Sequence, residues 1–131
     1  MDDNEEEPSG ALYQLDDDGC MRRDPGYVVT NGPAESPDGR VLYHTDTLAG
    51  IIYAFDRART GSAVEQARLR AIRAPASGYP DGPIVDAEGC VWTGVFGGWG
   101  LQRYSPQGEL LTTLRLPCSA RHQGRLRAAT I

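Results

Sequence analysis

Apolar residues along this chain fall in short runs, and clusters of polar residues, glycine and proline interrupt them every few positions. Gly10-Ala-Leu-Tyr-Gln-Leu15, Arg40-Val-Leu-Tyr-His-Thr45, Gly50-Ile-Ile-Tyr-Ala-Phe55, Cys90-Val-Trp-Thr-Gly-Val95 and Leu101-Gln-Arg-Tyr104 are rich in β-branched and aromatic residues. Helical spacing is nearly absent, so these runs predict strands. Cys20–Arg23, Gly32–Glu35, Gly82–Val85 and Glu109–Leu116 read as further strands. Ala67–Arg73 is the one stretch where a short helix competes, and its place in the pattern favours an outer strand after the Arg57–Glu65 loop. Between the runs stand Asp16-Asp-Asp-Gly19, Ser36-Pro-Asp-Gly39, Asp86-Ala-Glu-Gly89 and Ser105-Pro-Gln-Gly108. Each ends on a glycine that can take the positive φ of a tight turn.

The pattern repeats. Asn31-Gly32-Pro33 followed by Asp38-Gly39-Arg40-Val41 returns 50 residues later as Asp81-Gly82-Pro83 followed by Glu88-Gly89-Cys90-Val91, with no gap needed. Both copies run on to a glycine, Gly50 or Gly100, that opens another strand. Repeats of roughly 40–50 residues built from short strands indicate a propeller array, in which equivalent inner positions converge on one axis. Asn31 and Asp81, two oxygen-bearing side chains at equivalent places, are therefore expected to point at the same thing. Aligning Gly10, Gly50 and Gly100 gives two full blades and the outer half of a preceding one. The fold expected is all-β: a partial propeller of about two and a half four-stranded antiparallel blades. Tyr13, Tyr53 and Tyr104 recur near these strands and read as inter-blade packing, as do Trp92 and Trp99 in preference to a sugar-stacking platform.

Composition narrows the partners. The formal charge is −5, with much of it in Asp2-Asp-Asn-Glu-Glu-Glu7, which reads as a solvated loop. An acidic chain without basic clusters argues against nucleic acid or an anionic membrane as partner. Cys20, Cys90 and Cys118 are widely spaced and odd in number, which favours free thiols over a disulfide framework or a zinc site. No apolar run is long enough to span a membrane, so a cytoplasmic location is expected.

The ordered string Met1-Asp2-Asp3 with its acidic run, Ser9-Gly-Ala-Leu-Tyr13, Thr30-Asn-Gly-Pro33, Ser36-Pro-Asp-Gly-Arg40, Leu42-Tyr-His-Thr-Asp46, Ile52-Tyr-Ala-Phe-Asp56, Gly78-Tyr-Pro-Asp-Gly82, Asp86-Ala-Glu-Gly-Cys-Val-Trp92 and Tyr104-Ser-Pro-Gln-Gly108 resembles the regucalcin, gluconolactonase and senescence-marker-protein family of six-bladed propellers. The resemblance covers residues 1–118 and leaves 119–131 as a non-matching tail. It implies metal-dependent hydrolysis of a sugar lactone. It also implies one divalent cation on the axis, calcium first, with zinc, manganese or magnesium as alternatives. Carried over by motif, Asn31 is a metal ligand through its amide oxygen, and Asp81 is both a metal ligand and the catalytic base. The residue types suit that chemistry, because hard cations prefer carboxylate and amide oxygens and polarise a carbonyl. His44 and Asp46 fit strand-capping or edge roles better than metal binding, and His122 lies outside the matching stretch.

The departures matter as much. The family's site also uses a glutamate from its first blade and an arginine and an asparagine from the next two, and no segment here corresponds to them. The beginning reads as internal to a longer chain. Codons for His122–Arg127 can be chosen so that a reading one nucleotide later gives Thr-Lys-Val-Ala-Phe-Gly, the strand expected there, so the tail is expected to be out of frame. A weakly active or inactive truncated hydrolase, poorly soluble for its open sheet edges, is the leading expectation. A non-catalytic calcium-binding or interaction propeller is the alternative.

Overall fold

The computed structural model describes residues 6–16, 19–57, 68–74 and 78–117. They form ten strands: β1 (Gly10–Asp16), β2 (Gly19–Tyr27), β3 (Thr30–Glu35), β4 (Val41–Asp46), β5 (Ile51–Asp56), β6 (Arg68–Arg73), β7 (Tyr79–Val85), β8 (Val91–Phe96), β9 (Gly100–Tyr104) and β10 (Leu110–Arg115). Every pairing is antiparallel. The sheets are β1-β2, β3-β4-β5-β6 and β7-β8-β9-β10, so the two and a half blades of the repeat are present as two four-stranded sheets and one pair. The stretch ending at Arg73 is a strand, and no α-helix occurs among the described residues. None of the described elements is a helix long and apolar enough to cross a membrane.

The core lies between the two four-stranded sheets. Tyr43, Ile52, Ala54 and Ile72 of the first meet Val91 and Tyr104 of the second, with Ala34, Val41 and Val85 at the margin. Burial follows from neighbours. The middle sheet is covered on both faces, so four of the six residues of β5 are buried. Ile52 and Ala54 serve the core, while Tyr53 and Phe55 sit with Tyr27 of β2 on the opposite face. The last sheet is covered on one face, and burial in β8 and β9 alternates with the two-residue period of a strand. Ile84, Phe96 and all of β10 stay exposed.

The gapless 50-residue alignment requires a correction after the first turn. Asn31 pairs with Thr45, whereas Asp81 pairs with Gly94. The turn after β3 closes with the Ser36 N–H on the Val41 carbonyl, and the turn after β7 with the Asp86 N–H on the Cys90 carbonyl. The first turn thus holds one more residue, and from there the equivalence is 49. His44 stands where Thr93 does, and Asp56 stands level with Ser105 instead of Pro106. A one-residue slip exchanges the two faces of a strand, which is why Val41 and Val91, matched in sequence, have different surroundings. Gly50 likewise parts from Gly10 and Gly100. It sits in the β4–β5 link with φ +69°, while Gly10 and Gly100 open strands where a Cβ would fall 2.7 and 2.6 Å from the Tyr27 and Leu114 carbonyl oxygens.

Tyr104 packs in the core as expected and donates its hydroxyl to Gln102 Oε1 at 2.7 Å, so both polar ends are satisfied in the dry interior. Tyr13, by contrast, is 57% exposed among the described residues, short of the packing expected of it. Trp99 is half exposed with φ +56°, so it too fails the expectation of blade packing. Cys90 is a buried free thiol. The side chain of Cys20, together with Cys118, His122, the 119–131 tail and most of the acidic run and of the Arg57–Glu65 loop, lies outside the described residues.

Candidate functional site

Asn31 and Asp81 occupy matching points in their ladders. In β3 the register shifts between Asn31 and Ala34, and in β7 between Asp81 and Ile84, so each residue is the last regular pair before a bulge. Bulges re-aim side chains and recur beside active sites. The sequence sets them with Gly-Pro: glycine takes φ +104° at position 32 and +49° at position 82, and proline removes a ladder donor. The two motifs touch. A Cβ on Gly32 would lie 3.2 Å from Pro83 Cγ, and β3 and β4 both pack against β7.

Two threonines hold the pair, and sequence reasoning missed both. Asn31 Nδ2 donates to Thr47 Oγ1 at 2.7 Å. Thr47 is itself fixed at the start of the β4–β5 link, its N–H on the Val29 carbonyl and its carbonyl on the Gly50 N–H. Thr93, 1% exposed, accepts from the Asp81 N–H at 3.1 Å and donates to the carbonyls of Asp81 at 2.9 Å and Gly94 at 3.1 Å. The Asn31 amide oxygen and the Asp81 carboxylate have no hydrogen-bond or ion-pair partner among the described residues. Each is a half-buried oxygen group of the type that hard cations prefer. The only signal for the threonines was a polar residue at a buried position, which one sequence does not show.

His44 lies behind this site. Its Nε2 meets Thr30 Oγ1 at 2.5 Å, one residue before Asn31, and its ring meets Tyr27 edge-on at 4.6 Å. Nδ1 is buried with no partner among the described residues. Burial lowers the imidazole pKa, against the opposing charge of Asp24. Tyr27 in turn donates to Asp24. Asp46, at the end of β4, accepts from the Ala49 N–H at 3.2 Å, and burial raises its carboxyl pKa. Asp46 sits as the sequence suggested, capping a strand end, whereas His44 does not: it lies within β4, 2% exposed, and fills a sheet face.

The opposite end of the sheets carries a second group of acids: Asp86, Glu88 and Cys90, with their ligand atoms within 4.8 Å of one another. Its partners are already present. Asp86 Oδ1 caps the turn through the N–H groups of Glu88 and Cys90, at 3.0 and 2.9 Å. Oδ2 accepts from Trp92 Nε1 at 2.9 Å and from Arg103 Nε and Nη2 at 2.9 and 2.7 Å. Arg103 Nη2 also donates to Glu88. Burial pushes the Asp86 carboxyl up, but the bonds from Trp92, Arg103 and the Cys90 N–H outweigh it and hold the pKa low. With a guanidinium in place, a cation there would meet like charge, so this group is a turn lock. An open cavity of about 290 Å³ between Pro37, Tyr43, Arg70 and Glu88 is at this same end, away from Asn31 and Asp81.

A family model described as SMP-30/Gluconolactonase/LRE-like region matches residues 1–122. A 6-deoxy-6-sulfogluconolactonase from Pseudomonas putida is 36% identical over 90 residues, which cover 69% of this chain and 31% of that protein. Regucalcin from Danio rerio is 34% identical over 119 residues, covering 89% of this chain and 40% of that one. Among solved structures, a calcium-binding protein, regucalcin, from Agrobacterium tumefaciens superposes with a TM-score of 0.72 at 22% identity, over 89% of this chain and 40% of that one. At that identity the likeness carries the fold: a partial six-bladed propeller. The chain spans 31–40% of the length of these relatives.

Proposed function

Because the chain belongs to the SMP-30/Gluconolactonase/LRE-like family, we propose that it is part of a metal-dependent sugar-lactone hydrolase. In this reading Asn31 and Asp81 are two oxygen ligands of one divalent cation, calcium first, and Asp81 doubles as the base. The observation that carries it is the pairing itself. Two equivalent residues precede two bulges that touch, and each presents oxygen atoms free of partners among the described residues. A bound divalent ion supplies Lewis-acid polarisation of the lactone carbonyl. The protein's own contribution is positional. Asn31 Oδ1 and the Asp81 carboxylate would hold the ion, and the Asp81 carboxylate would take the proton of the water that adds to the carbonyl.

The lactonase name of the Pseudomonas relative supports the substrate class. Residues 1–118 are the propeller segment and 119–131 a tail outside it in this reading. With two protein donors, the 131-residue chain binds its ion weakly and turns over lactone slowly or not at all, since oxygen sites gain affinity with ligand number and charge. Calorimetric titration with Ca²⁺, together with pH-stat assay of gluconolactone with and without chelator, tests the proposal. Asn31→Ala and Asp81→Ala should each weaken Ca²⁺ binding about tenfold or more, by analogy with losses around metal sites. Unchanged binding in both variants would reject the ligand assignment. Ca²⁺ binding without turnover, even when joined to the remaining blades of a relative, would favour a binding module over an enzyme.

A further inference from the structure

We propose that Thr47 is a positioning residue for the metal site: its hydroxyl oxygen accepts from Asn31 Nδ2 and so steadies the amide with its oxygen end free for the ion. The inference rests on the assignment of Asn31 as a ligand and extends it to a residue outside the ligand set. An asparagine amide has a donor end and an acceptor end of nearly equal size, and only the oxygen can bind a cation. Left free, the group exchanges the two by rotation about its last torsion, which is broad and roughly two-fold. Here the Nδ2 end is committed to Thr47 Oγ1 at 2.7 Å, so Oδ1 is the end left over.

The surroundings of Thr47 separate this role from a structural one. The β4–β5 link is already tied to the strand before it by the main chain, through the Thr47 N–H on the Val29 carbonyl at 3.0 Å. The link is closed on itself by the Gly50 N–H on the Thr47 carbonyl at 3.1 Å. The hydroxyl adds nothing to either bond. Thr47 is 8% exposed, so its hydroxyl is held in place beside the half-buried Asn31 amide. At the equivalent point of the next blade the ligand is an aspartate, whose two oxygens are alike and need no such steadying. There Thr93 grips the main chain of Asp81 and leaves both carboxylate oxygens alone. The two threonines thus divide as the two ligand types require.

The test compares the full 131-residue chain with Thr47→Val, Thr47→Ser and Asn31→Ala. Each is titrated with Ca²⁺ by calorimetry and with Tb³⁺ by luminescence, and each metal-free form is unfolded in urea. Thr47→Val keeps the shape and removes the hydroxyl; it should lower affinity about tenfold or more, in the range seen when an outer partner of a metal ligand is removed. Its metal-free urea midpoint should stay near that of the parent. Thr47→Ser, which restores the hydroxyl, should restore the affinity. Parent-like affinity in Thr47→Val alongside weakened binding in Asn31→Ala overturns this inference and leaves the ligand assignment standing. A lowered midpoint in Thr47→Val with no rescue by Thr47→Ser marks a structural role and also overturns it. Unweakened binding in Asn31→Ala, or no ion uptake by the parent chain, removes the assignment and the inference together.

Discussion

Gly32 joins the two halves of the candidate site, and Gly32→Ala gives a graded test of that junction. The new methyl group meets two costs. At φ +104° an L-residue lies outside its allowed basins, which costs about 1–3 kcal/mol. Its Cβ also falls 3.2 Å from Cγ of Pro83, tighter than an ordinary contact, and overpacking of that kind costs about 1–3 kcal/mol more. Together the loss is about 2–6 kcal/mol before relaxation, a large share of the roughly 7–20 kcal/mol that a stable domain of this length would have. Gly82→Ala is the internal control. Its φ is +49°, within the left-handed basin, and a Cβ there meets nothing within 4 Å, so about 1–2 kcal/mol is expected. Urea unfolding of both variants, of Pro83→Ala and of Gly32→Ala/Pro83→Ala completes a double-mutant cycle. The coupling between positions 32 and 83 should be about 1–3 kcal/mol, the double variant relieving the clash. Equal losses at Gly32 and Gly82, or a coupling within about 0.5 kcal/mol of zero, would refute the contact between the two motifs.

Two further outcomes are expected. His44 is buried and its pKa lowered, so below about pH 6.5 the unfolded chain takes up a proton that the folded chain refuses. Stability is then full above about pH 6.5 and falls toward the folded pKa by up to about 1.4 kcal/mol per pH unit. Urea midpoints at several pH values should show that slope in the parent and lose it in His44→Phe. Asp86→Ala removes the carboxylate that Trp92, Arg103 and two turn N–H groups share, and should cost roughly 1–2 kcal/mol after allowance for the solvent around the pair. Its Ca²⁺ affinity should equal that of the parent, and a clear drop would show that the acidic turn is the ion site.

Much of the fold was legible because turns and strands are local. The Asp-Gly and Ser-Pro-x-Gly turns and the apolar runs between them fixed the number and order of the strands, and the repeat implied the sheet count. The register was not legible. The extra residue in the turn after β3 is absorbed with no change in the motif Asp38-Gly39-Arg40-Val41, since a loop can lengthen without altering its ends. The fault lies in treating equal spacing as equal geometry, and it misplaced every matched pair from Val41 and Val91 onward. Asn31 and Asp81 escaped because they precede that turn. Tyr13 and Trp99 were misjudged for another reason: an aromatic residue packs only if a neighbouring sheet covers its face, and coverage depends on contacts distant in sequence. Thr47 and Thr93 were invisible, since their hydroxyls gain meaning only from the residues that the sheets bring to them.

The single additional residue between β3 and β4 has a consequence for recombining these blades. A crossover within β3 and β7 joins them in phase at an offset of 50, whereas one within β4 and β8 must use 49. A chimaera spliced at the wrong offset would still read as an unbroken repeat. It would nonetheless send Tyr43 toward the surface that His44 now occupies, turning two strands inside out. A consensus blade averaged over this chain at a fixed period of 50 would carry the same inversion in every copy.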